Sequence, residues 1–420
     1  MARLEIAGGT KLKGKVKVGG NKNSMFGLMS AALLANSSTK LTNSPRIRDV
    51  EVMVNILKSL GCRVEYDHNG EVLIDNHGLS SSHPDEELAG RIRGSVVLAA
   101  PLLVRFGEVE IPRPSGDSIG ERLLDTHINV LSSFGAKTRG NHSSYIVKAE
   151  KLHGANIFLE EASVTATEMA LITASAISEE TIIEGAAAEP HVVDLEEMLL
   201  SMGAKIEGKG SNIVRIKGAR KLKGVEHRVR PEHIEVGTFA IASAITNGDI
   251  EIEDALAEDL KMILAYLSKM GVSWEFKNAN TLHIKPSRLV ARQKKFHTRP
   301  WPGFPTDLMS QFIVLATQTE GTVLCHDWMY EWRIFFVDHL IDMGANIIIA
   351  DPHRVIVTGP RKFHGDIIPS PDIRAGGALV LAALAAEGKS TVEHAEVIER
   401  GYEDFDGKLR SLGAKIERIV

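Results

Sequence analysis

The stretch Asp194–Glu207, DLEEMLLSMGAKIE, decides the fold. Leu195, Met198, Leu199 and Met202 fall at i, i+3, i+4 and i+7, the spacing that lines apolar side chains along one helical face. Gly203 follows, where a left-handed glycine commonly closes a helix, and the alternation after it predicts a strand. The same phrase returns as SLGCRVE, SFGAKTR, KMGVSWE, DMGANII and SLGAKIE. Its glycines are Gly61, Gly135, Gly203, Gly271, Gly344 and Gly413, spaced 68 to 74 residues apart. A period of this kind signals one supersecondary unit used six times.

Two more elements share the period. Ahead of each phrase comes a small-residue helix, a turn and a strand, as in ASAISEETIIEGA, ASAITNGDIEIEDA, ATQTEGTVLCHD and AALAAEGKSTVEHA. Their Ala and Gly content predicts helices packed closely in a core. After the phrase comes a further strand segment, as in IVKAEKLHGANIFLEE, VRIKGARKLKGVEHRV and VIVTGPRKFHGDIIPS. The last unit stops at GAKIERIV, and the opening LEIAGGTKLKGKVKVGG supplies the missing piece. Residues 1–21 are therefore expected to complete the sixth unit. Two helices per unit make a helix-rich α/β protein with mixed sheets. Three units per domain give one domain of residues 22–231 and a second of 1–21 with 232–420.

Composition narrows the function. The 420 residues carry a net charge of −5, so no global basic field points to nucleic acid. Cys62 and Cys325 are too few for a disulfide framework or a cysteine zinc site, and both read as core. No apolar run reaches the ~18 residues of a membrane span, and the start reads as two strands rather than a signal peptide. A cytoplasmic protein with no membrane partner is expected. HNGEVLIDNHG and DPHRVIV place histidines in hairpins without metal-ligand spacing. RQKKFHTRPWPGF is basic with aromatics, but reads as a solvated strand edge.

Each unit has two strand-to-helix junctions, and helix N-termini attract anions. The first junctions read GGNKNSM, GRIRGS, EASVTAT, RPEHIEVGT, WPGFPTD and SPDIRAGG; the second read SPRIRD, PSGDSIGER, AAAEPHVVD, DALAED, MYEWR and VIERGYE. Repeats of one structure would bring Lys22, Arg93, Arg122, Arg333, Arg374 and Arg400 to a common cleft. Such a grouping predicts a small phosphorylated or carboxylated ligand. Asp117, Glu189 and Asp307 sit at the same junctions, where carboxylates near cations ionise.

With these motifs in view, the chain resembles the enolpyruvyl transferases. The matching stretches are GGNKNS, RGS with PLLVRFG, GDSIG, EP-VVD, IE-GTF, FPTDL, D-RA and ERGYE, and they span the chain. Lys22-Asn23 favours the branch acting on UDP-N-acetylglucosamine over the branch acting on shikimate 3-phosphate. The resemblance implies a two-domain inside-out α/β barrel with three βαβαββ-type units per domain. It also implies transfer of the enolpyruvyl group of phosphoenolpyruvate to the 3-hydroxyl of the sugar, with release of phosphate and no metal or organic cofactor.

The residue roles are implied in the same way. Lys22, Arg122 and Arg400 would hold phosphoenolpyruvate, with Asn23 beside Lys22. Arg93 would contact the sugar nucleotide, and Asp307 would be base or orienting group for its hydroxyl. Arg122, Leu123, Leu124, Asp125 and Thr126, with Ser163, Val164 and Met329, lie where the family binds the UDP-sugar. Arg333, Asp372 and Arg374 would support closure. Asp117 stands where many members carry a cysteine that fosfomycin alkylates, so the implied role is acid and the implied phenotype is fosfomycin insensitivity. A monomer or weak homo-oligomer is expected.

The chain departs from the family pattern in three stretches. RPVDLH reads RLLDTH, with Leu123, Leu124 and Thr126 in place of Pro, Val and Leu, a common lysine is Glu161, and FENR reads YEWR, with Trp332 in place of Asn. The changes cluster on the nucleotide-sugar side. Two other readings stay open: enolpyruvyl transfer to another acceptor, such as shikimate 3-phosphate or a different nucleotide, and a non-catalytic repeat protein that binds anions. RNA 3′-phosphate cyclases share the repeat style, but the charge balance carries no RNA footprint.

Overall fold

The glycine phrases set the layout of the computed structural model, which describes residues 2–112, 120, 123–140 and 143–419. All six phrase glycines have positive φ, from 88° at Gly271 to 117° at Gly203. At each, the next residue's N–H reaches back to the carbonyl of a leucine five residues earlier: Cys62 to Leu57, Ala136 to Leu131, Ala204 to Leu199, Val272 to Leu267, Ala345 to Leu340 and Ala414 to Leu409, at 2.8–3.1 Å. The glycine's own N–H bonds the carbonyl three residues before it, as from Gly203 to Leu200 at 3.1 Å. This pair of bonds is the Schellman closure. All six leucines are buried, as are the residues after the glycines, so each closure is also an apolar contact. Cys62 is one of those residues, and burial pushes its thiol up to about 11. Cys325, inside the strand Gly321–His326, is pushed up to about 12 by the same cause.

Six sheets form among the described residues. In the third unit, Asn156–Phe158 runs parallel to Thr181–Glu184. Thr181–Glu184 pairs antiparallel with Ile213–Lys217, which pairs antiparallel with Lys205–Glu207. Helix Val164–Ser175 joins the first two strands and helix Pro190–Met202 leads to the third, giving βαβαββ. The second unit's sheet has three strands, Glu108–Pro112, Ser144–Lys148 and Lys137–Gly140. Beside it the carbonyl of Ser82 accepts from the Glu110 N–H at 3.4 Å.

The opening residues are shared between two sheets. Arg3–Ala7 lies between Lys389–Glu393 and Lys415–Ile419 and completes the sixth unit. Lys13–Lys17 instead runs parallel to Asp249–Glu253, at the edge of the fourth unit's sheet. The expectation that all of residues 1–21 complete the sixth unit is corrected to that extent. The reason is physical: KGKVK buries only Val16, so its pattern does not specify which sheet receives it. In the same way Glu226–Arg228 pairs with Thr39–Thr42 of the first unit.

The described residues divide into two compact bodies, 20–112 with 123–140 and 143–230, and 2–19 with 231–419 and Gly120. In the first, helices Lys22–Ala32 and Val164–Ser175 and the helical run 93–106 pack on one another; in the second, His233–Ile245, Met309–Thr317 and Ile373–Ala385 do so. These helices are buried nearly all round, and the sheets lie outside them, which is the inside-out arrangement. Close approach demands small residues: a Cβ at Gly237 would lie 2.5 Å from Leu308 Cδ1. No helix among the described residues is long and apolar enough to cross a membrane.

The closures make a graded prediction. A Cβ at Gly413 meets nothing within 4 Å, so Gly413→Ala meets only left-handed strain, about 1–2 kcal/mol. A Cβ at Gly61 would fall 2.3 Å from the Gly78 carbonyl oxygen, so Gly61→Ala should lower the urea midpoint clearly more. Equal shifts would contradict this account.

Candidate active site

The first helices begin with the polar residues singled out in the sequence. Asn21 caps Lys22–Ala32, its Oδ1 accepting from the N–H groups of Asn23 (2.8 Å) and Ser24 (3.0 Å). Glu232 caps His233–Ile245, accepting from Ile234 N–H. Asp372 caps Ile373–Ala385, accepting from Arg374 N–H (2.8 Å) and Ala375 N–H (2.9 Å). A carboxylate oxygen of Asp372 is thus engaged with its own helix. Ser163 precedes Val164–Ser175 but makes no side-chain cap, so the N–H groups of that helix start are not closed by its hydroxyl. Arg93 opens a 3-10 turn, Arg93–Leu98, rather than an α-helix.

In the body containing residues 231–419, a cluster of charged candidate residues surrounds Asp307, on the 3-10 turn Thr306–Leu308. Arg333 Nη2 donates to Asp307 Oδ1 at 3.0 Å, and Arg374 Nε donates to Oδ2 at 3.0 Å with Nη2 at 2.9 Å. Both guanidinium groups are buried, whereas Asp307 keeps partial exposure. The sequence expects Arg333 and Arg374 at a common cleft; in the structure both bond the partly exposed Asp307 carboxylate. Burial opposes the charge on Arg333, but Asp307, Asp372 and Asp327 outweigh it and hold its pKa above the ordinary value. Arg374 is raised likewise, against burial, by Asp307, Tyr402 and Glu232. Glu232 Oε2 lies 4.0 Å from Arg374 Nη2.

Asp327 braces the same region from behind. It is fully buried and accepts from Thr298 Oγ1 (3.2 Å), Thr306 Oγ1 and the N–H of Met329 (3.0 Å). Burial raises its pKa, with Arg333 and these hydrogen bonds pulling the other way. The turn that follows carries Trp332, 55% exposed. Arg400 ends the 3-10 segment Ala395–Arg400, and Tyr402, two residues on, is buried with Arg374 over its ring at 5.2 Å.

In the other body, Lys22 Nζ stands 3.5 Å from Asp49 Oδ2, both largely buried. Arg93 Nη2 donates to the Leu123 carbonyl at 3.3 Å. Leu123 is 65% exposed, Leu124 is buried, and Asp125 and Thr126 begin the helix Asp125–Ser133. His127 on that helix is buried, with Nε2 2.7 Å from Thr165 Oγ1 in the first turn of Val164–Ser175. Burial, with a smaller push from Arg93, lowers its pKa to about 3. Glu168, fully buried in the same helix, is pushed well above the carboxylate range by burial and then by Glu189. Asp117 and Arg122 lie outside the described residues.

Sequence reasoning did not single out Tyr402, Gln311, Asp327, Glu168 or the His127–Thr165 pair; in the structure all but Thr165 are buried polar groups. Gln311 and Glu168 carried a signal: a polar side chain on a helix that is otherwise apolar and small. A buried polar group of that kind needs a partner.

Residues 6–409 match the family described as EPSP synthase (3-phosphoshikimate 1-carboxyvinyltransferase). A UDP-N-acetylglucosamine 1-carboxyvinyltransferase of Treponema denticola is 43% identical over 419 residues, covering 98% of each chain. The protein of that name in Halothermothrix orenii is 42% identical over 419 residues, covering 100% of each. Among solved structures, the enolpyruvyl transferase NikO from Streptomyces tendae has a TM-score of 0.89 at 26% identity, over 99% of this chain and 98% of that one. An EPSP synthase from Acinetobacter baumannii has a TM-score of 0.77 at 22% identity over both full lengths, a likeness of fold.

His127 gives the site a pH signature. The unfolded chain protonates this histidine near pH 6.5, and the fold only near about 3. Stability is therefore complete above about pH 6.5 and is lost as pH falls toward 3. At pH 5 the loss is about 2 kcal/mol. Urea unfolding of His127→Gln should show a smaller drop between pH 7 and 5 than the parent; the same drop in both would refute a buried neutral imidazole.

Proposed function

We propose, from the premise that the chain belongs to the EPSP synthase family, that it transfers the enolpyruvyl group of phosphoenolpyruvate to the 3-hydroxyl of UDP-N-acetylglucosamine, the first committed step of peptidoglycan synthesis. The observation that carries this reading is full-length identity of 43% to a relative named for that donor group and acceptor. The Asp307 cluster supports it. A carboxylate held by two guanidinium groups stays ionised and fixed in direction, as a group that orients and deprotonates a hydroxyl requires. The hydroxyl oxygen bonds to C2 of phosphoenolpyruvate while C3 gains a proton. The resulting adduct expels phosphate and gives a C3 proton back.

In this reading Lys22, Arg122 and Arg400 hold the phosphate and carboxylate of the donor, with Asn23 alongside. Arg93, Leu123, Leu124, Asp125, Thr126 and Met329 contact the acceptor, and the helix start at Ser163 and Val164 meets its diphosphate. Arg333 and Arg374 keep Asp307 in place, and Asp372 caps the helix that carries Arg374. Asp117 supplies the C3 proton. A bound phosphate dianion raises its pKa above the unperturbed ~3.9, while Arg122 acts the other way. The enzyme works in the cytoplasm as a monomer or weak homo-oligomer.

Two measurements test this. Phosphate release should require phosphoenolpyruvate together with UDP-N-acetylglucosamine. Release only with shikimate 3-phosphate or another nucleotide would reassign the acceptor, and none with any acceptor would leave an anion-binding protein. Asp117→Asn should lower kcat by roughly a hundredfold or more, the usual scale for a proton donor. Turnover by the parent should survive fosfomycin. Full turnover in the variant, or a fosfomycin adduct on Asp117 with loss of activity, would remove the acid role.

A further inference from the structure

We propose that Tyr402 is a positioning residue: its hydroxyl, through Gln311, fixes the Arg374 backbone and its ring backs the guanidinium, so that Arg374 stays aimed at Asp307. The proposal rests on the reaction assigned above. Tyr402 is buried, and its Oη lies 3.0 Å from both Thr238 Oγ1 and Gln311 Nε2. The direction of these bonds follows from their neighbours. Thr238 gives its own proton to the Ile234 carbonyl at 2.8 Å, so its oxygen accepts from the tyrosine O–H. Gln311 Nε2 can only donate, so Oη accepts there. The same Nε2 donates to the Arg374 carbonyl at 3.0 Å. One hydroxyl thereby joins helices His233–Ile245 and Met309–Thr317 and, through Gln311, the first turn of Ile373–Ala385.

The ring completes the arrangement. The Arg374 guanidinium carbon sits 5.2 Å from the Tyr402 ring centroid, within cation–π range, while Nε and Nη2 face Asp307. A Cβ at Gly377 would come within 3.1 Å of Tyr402 Cε2, so the glycine leaves room for the ring. Burial raises the Tyr402 pKa, so the hydroxyl stays protonated and keeps its donor role. The ring thus packs against Arg374 while the hydroxyl fixes its backbone, and Asp307 receives the aimed guanidinium. Tyr402 touches neither substrate in this role; it acts through Arg374.

The test is steady-state kinetics of the full chain with Tyr402→Phe, which keeps the ring and removes Oη, and with Thr238→Val. Tyr402→Phe should lower kcat about tenfold, with KM for both substrates within twofold of the parent. Among the described residues, Arg333 and Arg374 pair with Asp307, while Asp327 and Asp372 act on Arg333 and Glu232 on Arg374; Arg374 is the one that Tyr402 steers. Loosening it weakens stabilisation of the ionised carboxylate, so the acid limb of the kcat profile should move to higher pH. Thr238→Val should do the same to a smaller extent, since Gln311 still holds Oη. A Tyr402→Phe enzyme with parental kcat and pH profile, even with a lowered melting temperature, would make the tyrosine purely structural. Should that variant not fold, parental kcat and profile in Thr238→Val would overturn the proposal. Absence of enolpyruvyl transfer in the parent itself would overturn the assigned reaction and this role with it.

Discussion

A helix can be reversed into a strand within one residue only if that residue accepts a left-handed backbone and the last carbonyls find donors. Six glycines meet both conditions here, and each anchors a buried leucine at the same distance along its helix. The closure fixes where the amphipathic helix of each unit ends and where its strand begins. With that end fixed, the other helix of the unit has nowhere to go but inward, against its two counterparts. Its small residues then follow from geometry: at Gly237 a side chain would collide with the neighbouring Leu308.

A helix buried on every side leaves its ends as the places for polar chemistry. That is where Asn21, Glu232 and Asp372 cap, and where Asp307 receives two arginines. Burying charges is expensive, and a buried ion cluster is weak grounds for stability, because an apolar replacement of equal volume is often as stable or more so. Two guanidinium groups around a partly exposed carboxylate make better sense as a device that fixes its direction. Asp327, Thr306 and Thr298 extend the same logic, each satisfying a group that would otherwise be stranded.

The period, the glycine closures, the buried cysteines and the closely packed helices were legible because each depends on local spacing. The pairing of Lys13–Lys17 was not, since an edge strand that buries one valine carries no register information. The residues of the Asp307 cluster were recognised, but their mutual arrangement was not. Asp307, Arg333 and Arg374 are 26 and 67 residues apart, and nothing in their local sequence says that the arginines aim at the aspartate rather than outward. Tyr402 was quoted within ERGYE, yet an aromatic beside a glycine reads as packing until Gln311 and Thr238 are seen against its hydroxyl.

The departures from the family pattern can be weighed by what they change physically. Leu123 and Trp332 are both well exposed, and they replace residues that are smaller or more polar in the family pattern. Neither adds or removes a charge. The Asp307–Arg333–Arg374 cluster, beside which Trp332 stands, keeps its ion pairs at 2.9–3.0 Å. Apolar area of this kind changes binding by contact, at about 25 cal/mol per Å² buried, while the charged groups set the chemistry. Substitutions of this kind leave the ionic centre unaltered and change only exposed apolar area. Glu161 is the exception, since it places a negative charge two residues before Ser163, and an anionic acceptor would feel it directly.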